Sequence, residues 1–149
     1  MPETGRNARM QEQVDRCGVY RRVFGLDAFP DTGGIYVGAG SVTGVMLPRA
    51  LAEKVLGTEG LGPVPAVSVD PTVWLLLADT PTCPEQAHHV AIRLMRFGIT
   101  LVVPRGLLAL PTPGDPHRVW IRPPHGRTRP SIAVLADAIA AAATSARNH

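Results

Sequence analysis

The sequence predicts a single α+β domain with a mostly antiparallel sheet, about three helices and a flexible N-terminal tail. Three observations carry that expectation. Strand-like apolar runs and helix-like stripes interleave from Gly34 to Ala143 without the regular strand–helix–strand alternation of a parallel sheet. No segment repeats at a fixed period, which sets aside solenoids and propellers. At 149 residues, 45% hydrophobic and 18% charged, the chain has one domain's length and enough apolar content to bury a core.

Residues 1–33 mix charges of both signs with glycine and proline, and only Gln11–Phe24 has helical spacing, with Val14, Val19, Val23 and Phe24 as a narrow stripe. We read this region as a tail or a loosely docked helix, and 34–149 as the domain. Ile35–Val37 and Val42–Leu47 flank Gly38-Ala39-Gly40-Ser41 and read as a β-hairpin, because a tight turn needs positive φ where glycine is cheapest. Pro48 suits a helix's first turn, Leu51, Val55 and Leu56 recur at helical spacing and Gly57 is a stop, giving a helix over 48–56.

Ala66–Val69 and Val73–Ala78 are apolar runs split by Asp70-Pro71, a turn pair between two buried strands. Thr82-Cys83-Pro84-Glu85 has a capping-box pattern, and Ala87, Val90, Ala91, Leu94, Met95 and Phe97 continue an apolar face until Gly98. Ile99–Val103, Gly106–Leu110 and Val119–Ile121 read as strands rich in β-branched residues or leucine, the last ended by Pro123 and Pro124. Ser131–Ala143 reads as a final helix capped by Ser131, with Ile132, Leu135 and Ile139 toward the sheet.

Composition excludes several classes. No apolar run reaches the roughly 18 residues that span a bilayer, and the first residues are polar where a signal peptide is apolar, so the expectation is a soluble cytoplasmic protein without membrane contact. Cys17 and Cys83 are far apart and form neither a disulfide framework nor a CxxC knuckle. The net charge is +3, and 14 of the 15 basic residues are arginine. Their distribution matters more than their number: Arg105, Arg118, Arg122, Arg127 and Arg129 fall between Pro104 and Pro130 against one acid, Asp115.

No motif assembles an active site, and no cofactor or metal is expected. The glycines at 38 and 40 lack the GxxxxGK[ST] of a P-loop and the third glycine of a dinucleotide fingerprint. His88 and His89 are adjacent on a helix, so their side chains diverge by about 100° and cannot grip one metal together. GxSxG is absent around Ser41, and His117, His125 and His149 have no acidic partner close in sequence that marks a general base. Cys83 opens a helix, where amide dipoles favour a thiolate, but no base accompanies it and the reading is a partly buried structural thiol.

Val67–Pro71 and Leu108–Pro124 resemble part of the N-terminal domain of bifunctional DNA primase/polymerases, in which a strand ends in a DxDP-type motif and a later strand-turn-strand unit ends in Pro-Pro. MLPRALAEKV, GPVPAV, VWLLLA and VWIRPP resemble small actinobacterial proteins of unassigned function, a likeness that implies no activity. The first likeness implies two-metal nucleotidyl transfer, which needs a pair of close carboxylates. Here Asp70 stands alone, because Ser68 occupies the first carboxylate position. The expectation is therefore a non-catalytic binding or regulatory domain. Arg105, Arg118, Trp120, Arg122, Arg127 and Arg129 would face an acidic protein or a nucleic-acid backbone. The alternative is an enzyme acting on nucleotides that gathers Asp70, His117 and the arginines at one sheet edge.

Overall fold

A computed structural model describes residues 2–31, 34–38, 42–80, 83–102 and 107–147. Among them the chain runs α1 (Pro2–Phe24), β1 (Ala28–Asp31), β2 (Gly34–Gly38), β3 (Val42–Pro48), α2 (Arg49–Leu56), β4 (Ala66–Asp70), β5 (Val73–Asp79), α3 (Pro84–Met95), β6 (Thr100–Val102), β7 (Leu107–Leu110), β8 (Val119–Arg122) and α4 (Ile132–Arg147). The α+β class holds, with two antiparallel sheets and four described helices where the sequence suggested about three. No helix is long and apolar enough to cross a membrane among these residues.

The five-stranded sheet, in order β6-β3-β5-β4-β8, is buried on both faces at its centre. Side chains alternate along a strand, so β5 sends Trp74, Leu76 and Ala78 to one side and Leu75 and Leu77 to the other. The first side is covered by α2, α3 and α4 through Val55, Leu94, Leu135 and Ile139. The second is covered by the three-stranded sheet, in order β1-β2-β7, and by α1. Ile35, Val37, Leu108 and Leu110 meet Val67, Leu75 and Leu77 there, with Cys17 and Tyr20 closing the end. Five of the seven β5 side chains are buried, as its near-continuous apolar run demands.

The hairpin expected from Ile35–Val37 and Val42–Leu47 does not form. β2 pairs with β1 and β7, whereas β3 pairs with β5 and β6 in the other sheet. Gly38 lies opposite Leu107 in the smaller sheet and Gly44 opposite Val102 in the larger. β2 ends at Gly38, and residues 39–41 of the Gly-Ala-Gly-Ser stretch lie outside the described set. Just past it, Gly44 lets the sheets close up: a Cβ there would sit 2.5 Å from Leu108 Cδ2 and 2.8 Å from Leu75 Cδ1.

At the N-terminus, read as a tail or a loosely docked helix with helical spacing over Gln11–Phe24, there is a helix of 23 residues that also ends at Phe24, followed by a strand of the smaller sheet. Val14 and Val23 of the expected stripe are half exposed, and the buried positions are Cys17 and Tyr20, three residues apart, continued by the half-buried Phe24. None of residues 8–16 is buried, and from residue 8 onward the packed part of α1 begins at Cys17. At its end Gly25, with φ of 65°, reverses the chain and lets Leu26 N–H donate to the Tyr20 carbonyl at 2.9 Å.

The remaining elements follow their sequence signals. Asp70 Oδ1 accepts the Thr72 N–H and hydroxyl, both at 2.9 Å, and closes the β4–β5 turn. Ser131 Oγ accepts the Val134 N–H at 3.2 Å and caps α4. Cys83 is the N-cap of α3 without a side-chain bond; Thr82, assigned to its capping box, lies outside the described residues. Met95, placed on the apolar face of α3, is 72% exposed.

Candidate functional site

The basic, proline-rich stretch of 104–130 wraps the packed half of α1, and this decides what its arginines do. Arg129 follows the 125–128 turn and enters the junction between α1 and β5. Its side chain is only 8% exposed; Nε meets Asp79 Oδ1 at 3.0 Å and Nη1 donates to the Phe24 carbonyl at 2.8 Å. Two residues earlier, Arg127 lays its stem over Gly25, where a Cβ would come 3.2 Å from its Cγ, and Nη2 donates to the Arg22 carbonyl at 3.2 Å. Both satisfy carbonyls in the last turn of α1, the negative end of the helix dipole.

Trp120 is half-buried and meets Tyr20 edge-on, with centroids 6.0 Å apart and planes at 79°. Tyr20 in turn donates its hydroxyl proton to the Pro111 carbonyl at 2.7 Å, and burial pushes its phenol above the ordinary value. The aromatic pair holds α1 against β8.

Arg118 turns the other way, toward the outer face of the smaller sheet. Its guanidinium lies 5.1 Å from the Tyr36 ring centroid, Nη2 donates to the Tyr36 hydroxyl at 3.4 Å, and Nε lies 3.7 Å from Asp115 Oδ2. Nη1 occupies the space a Cβ of Gly34 would need, at 2.8 Å, and is buried without a hydrogen-bond partner. Arg122 is exposed on β8, the edge strand of the five-stranded sheet. Arg105 lies outside the described residues.

The five described residues of the six singled out by sequence therefore do not form one face. Trp120, Arg127 and Arg129 gather around α1, Arg118 belongs to the Tyr36 side, and Arg122 stands on the strand between them. Residues that sequence reasoning left out complete the first group: Tyr20, Arg22 and Phe24. The available signal was Arg21-Arg22 followed three residues later by Gly25, a basic last turn and a glycine stop.

The acidic residue of the alternative reading is committed locally. Asp70 is fully exposed, and its carboxyl lies below the ordinary range because Thr72 donates to it from backbone and hydroxyl, with His117 nearby adding a smaller pull. Ser68 Oγ contacts the Asp70 carbonyl at 3.4 Å. Among the described residues no three histidine, cysteine, aspartate or glutamate side chains converge to hold a metal ion. A shallow depression of about 250 Å³ between α1 and Pro113 carries Glu12, Asp15 and Arg16, a mixed set of charges.

No family model, no curated protein and no solved structure matches the chain.

Proposed function

We propose that this chain is a non-catalytic binding or regulatory module of the cytoplasm that contacts an anionic macromolecule, an acidic protein or a nucleic acid. The contact runs through the arginines its own packing leaves in solvent. Arg129, Arg118 and Trp120 are engaged by Phe24 and Asp79, by Tyr36 and Asp115, and by Tyr20. Arg122 and Arg127 remain exposed, joined by Arg22 from α1.

The observation that carries this reading is that the exposed Arg22 and Arg127 side chains hold only backbone carbonyls of α1, those of Gly18 and Arg22, and that neither has a carboxylate within 4.0 Å among the described residues. Exposed cations left without an acid of their own favour an anionic partner. The enzymatic alternative gains nothing from Asp70, whose Oδ1 serves the turn. In this reading, the likeness of Val67–Pro71 to the primase/polymerase motif is that of a catalytically silent relative.

Fluorescence anisotropy with labelled polyglutamate and a labelled oligonucleotide at low salt tests the proposal. The wild type binds at least one of them, and R22A/R122A/R127A binds it about tenfold or more weakly. Equal binding by wild type and triple variant, or none by the wild type, overturns it.

A further inference from the structure

Three guanidiniums line the last two turns of α1. Arg22 Nε donates back to the Gly18 carbonyl at 3.2 Å, Arg127 Nη2 to the Arg22 carbonyl at 3.2 Å, and Arg129 Nη1 to the Phe24 carbonyl at 2.8 Å. Gly18 and Arg22 are four residues apart, so their carbonyls lie on one face about 6 Å apart along the axis. The Arg22 and Arg127 heads bound to them accordingly sit in line along that face, whereas the Phe24 carbonyl held by Arg129 is two residues beyond Arg22 and points about 200° away around the axis.

Gly25 makes room for one of them: a Cβ there would press on the Arg127 stem at 3.2 Å, whereas one at Gly18 would meet Arg22 Nη2 at an ordinary 3.8 Å. The innermost guanidinium, Arg129, is already paired with Asp79. The outer two are exposed, each held by one N–H with its others free, and neither has an acidic partner among the described residues.

Acidic side chains of a protein must each be ordered before they can match such a row. A phosphodiester strand carries its charges in a repeated line, and planar guanidinium forks suit its paired oxygens. We propose that Arg22 and Arg127 on α1 take phosphates along one strand of a nucleic-acid backbone, without reading its bases. This rests on the reading of the chain as a module for an anionic partner, and names that partner.

The test is the salt dependence of binding to a labelled single-stranded oligonucleotide, run beside labelled polyglutamate. Each phosphate contact contributes about 0.7 to the slope of log affinity against log salt for a single strand, so R22A/R127A should flatten the slope by about 1.4. R22K/R127K, which preserves the charges, should retain it. Arg22 contacts only the carbonyl of its own helix, so the single R22A variant isolates half the effect in a protein whose fold is undisturbed, which a thermal melt confirms. An oligonucleotide that does not bind, or a slope unchanged in R22A/R127A, overturns the inference. If polyglutamate binding then depends on the same arginines, the anionic-partner reading survives and the nucleic-acid identity alone falls; if neither ligand binds, both fall.

Discussion

Arg129 and Phe24, 105 positions apart, are joined by a 2.8 Å hydrogen bond from Nη1 to the last carbonyl of α1, while Nε of the same guanidinium meets Asp79 at the end of β5. One planar fork thus ties the N-terminal helix to the central sheet. Removing it in Arg129→Ala leaves a helix carbonyl and a half-exposed carboxylate without their donor. Two charge-assisted hydrogen bonds, one discounted because Asp79 is 47% exposed, make the expected loss about 2–3 kcal/mol. In a chain of this length that lowers Tm by roughly 5–10 °C. Arg129→Lys should recover only part, since a single ammonium does not reproduce the fork. A melting temperature unchanged in Arg129→Ala would show that the guanidinium does not secure α1.

Tyr20 gives the same junction a pH dependence. Its hydroxyl donates to the Pro111 carbonyl at 2.7 Å, and burial raises its pKa above the ordinary value of 10.0, so the folded state holds the phenolic proton more tightly than the unfolded chain does. The stabilisation is therefore complete below pH 10 and is lost as pH rises through the unfolded value toward the folded one. Tyr20→Phe should cost about 1–2 kcal/mol at pH 8, where the Pro111 carbonyl loses its donor. Between pH 9 and 11 the variant should lose less stability than the wild type. Urea titrations across that range measure both, and parallel losses would assign the alkaline sensitivity to another group.

What the sequence disclosed and what it hid divide along contact range. The turn at Asp70-Pro71, the Ser131 cap and the apolar run of β5 depend on residues a few positions apart, and local chemistry reads them directly. β2 and β3 were misread as a hairpin because the glycines between them in sequence suit a tight turn. What separates the two is pairing with Leu107–Leu110 and Thr100–Val102, some sixty residues away. The helical stretch to Phe24 was legible but its buried face was not: its exposed valines suggest a stripe, whereas the buried side is made by Cys17 and Tyr20, whose partners lie near Pro111 and Trp120. Charge pattern located the arginine-rich stretch, but not that α1 of the same chain lies against it.

Gly44 of the larger sheet lies directly under Leu108 of the smaller one, and it yields a prediction with its own control. An added Cβ would lie 2.5 Å from Leu108 Cδ2 and 2.8 Å from Leu75 Cδ1, both on side chains at most 2% exposed, with little room to retreat. Gly44→Ala should destabilise by about 1–3 kcal/mol through overpacking. Leu108→Ala opens a cavity and costs about 2–5 kcal/mol alone. Combined, the two should cost less than their sum, because each relieves the other. Denaturant midpoints for the four proteins close the cycle, and strict additivity would place the strain elsewhere.

The two cysteines report on α1 docking. Cys17 is 1% exposed, and burial pushes its thiol up against a smaller opposing effect from Arg21, whereas Cys83 is exposed at the start of α3. Alkylation requires an accessible thiolate, so Cys83 should label rapidly at pH 8 and Cys17 only when α1 lifts from the sheet. The Cys17 rate then measures the opening equilibrium of α1, and every 1.4 kcal/mol removed from docking raises it tenfold. If Arg129→Ala weakens docking by about 2 kcal/mol, Cys17 labelling should accelerate about thirtyfold while Cys83 is unaffected, as followed by peptide mass spectrometry. Cys17 reacting as fast as Cys83 in the wild type would mean that the helix is not seated on the core. Equal acceleration at both sites would signal global unfolding instead of release of α1.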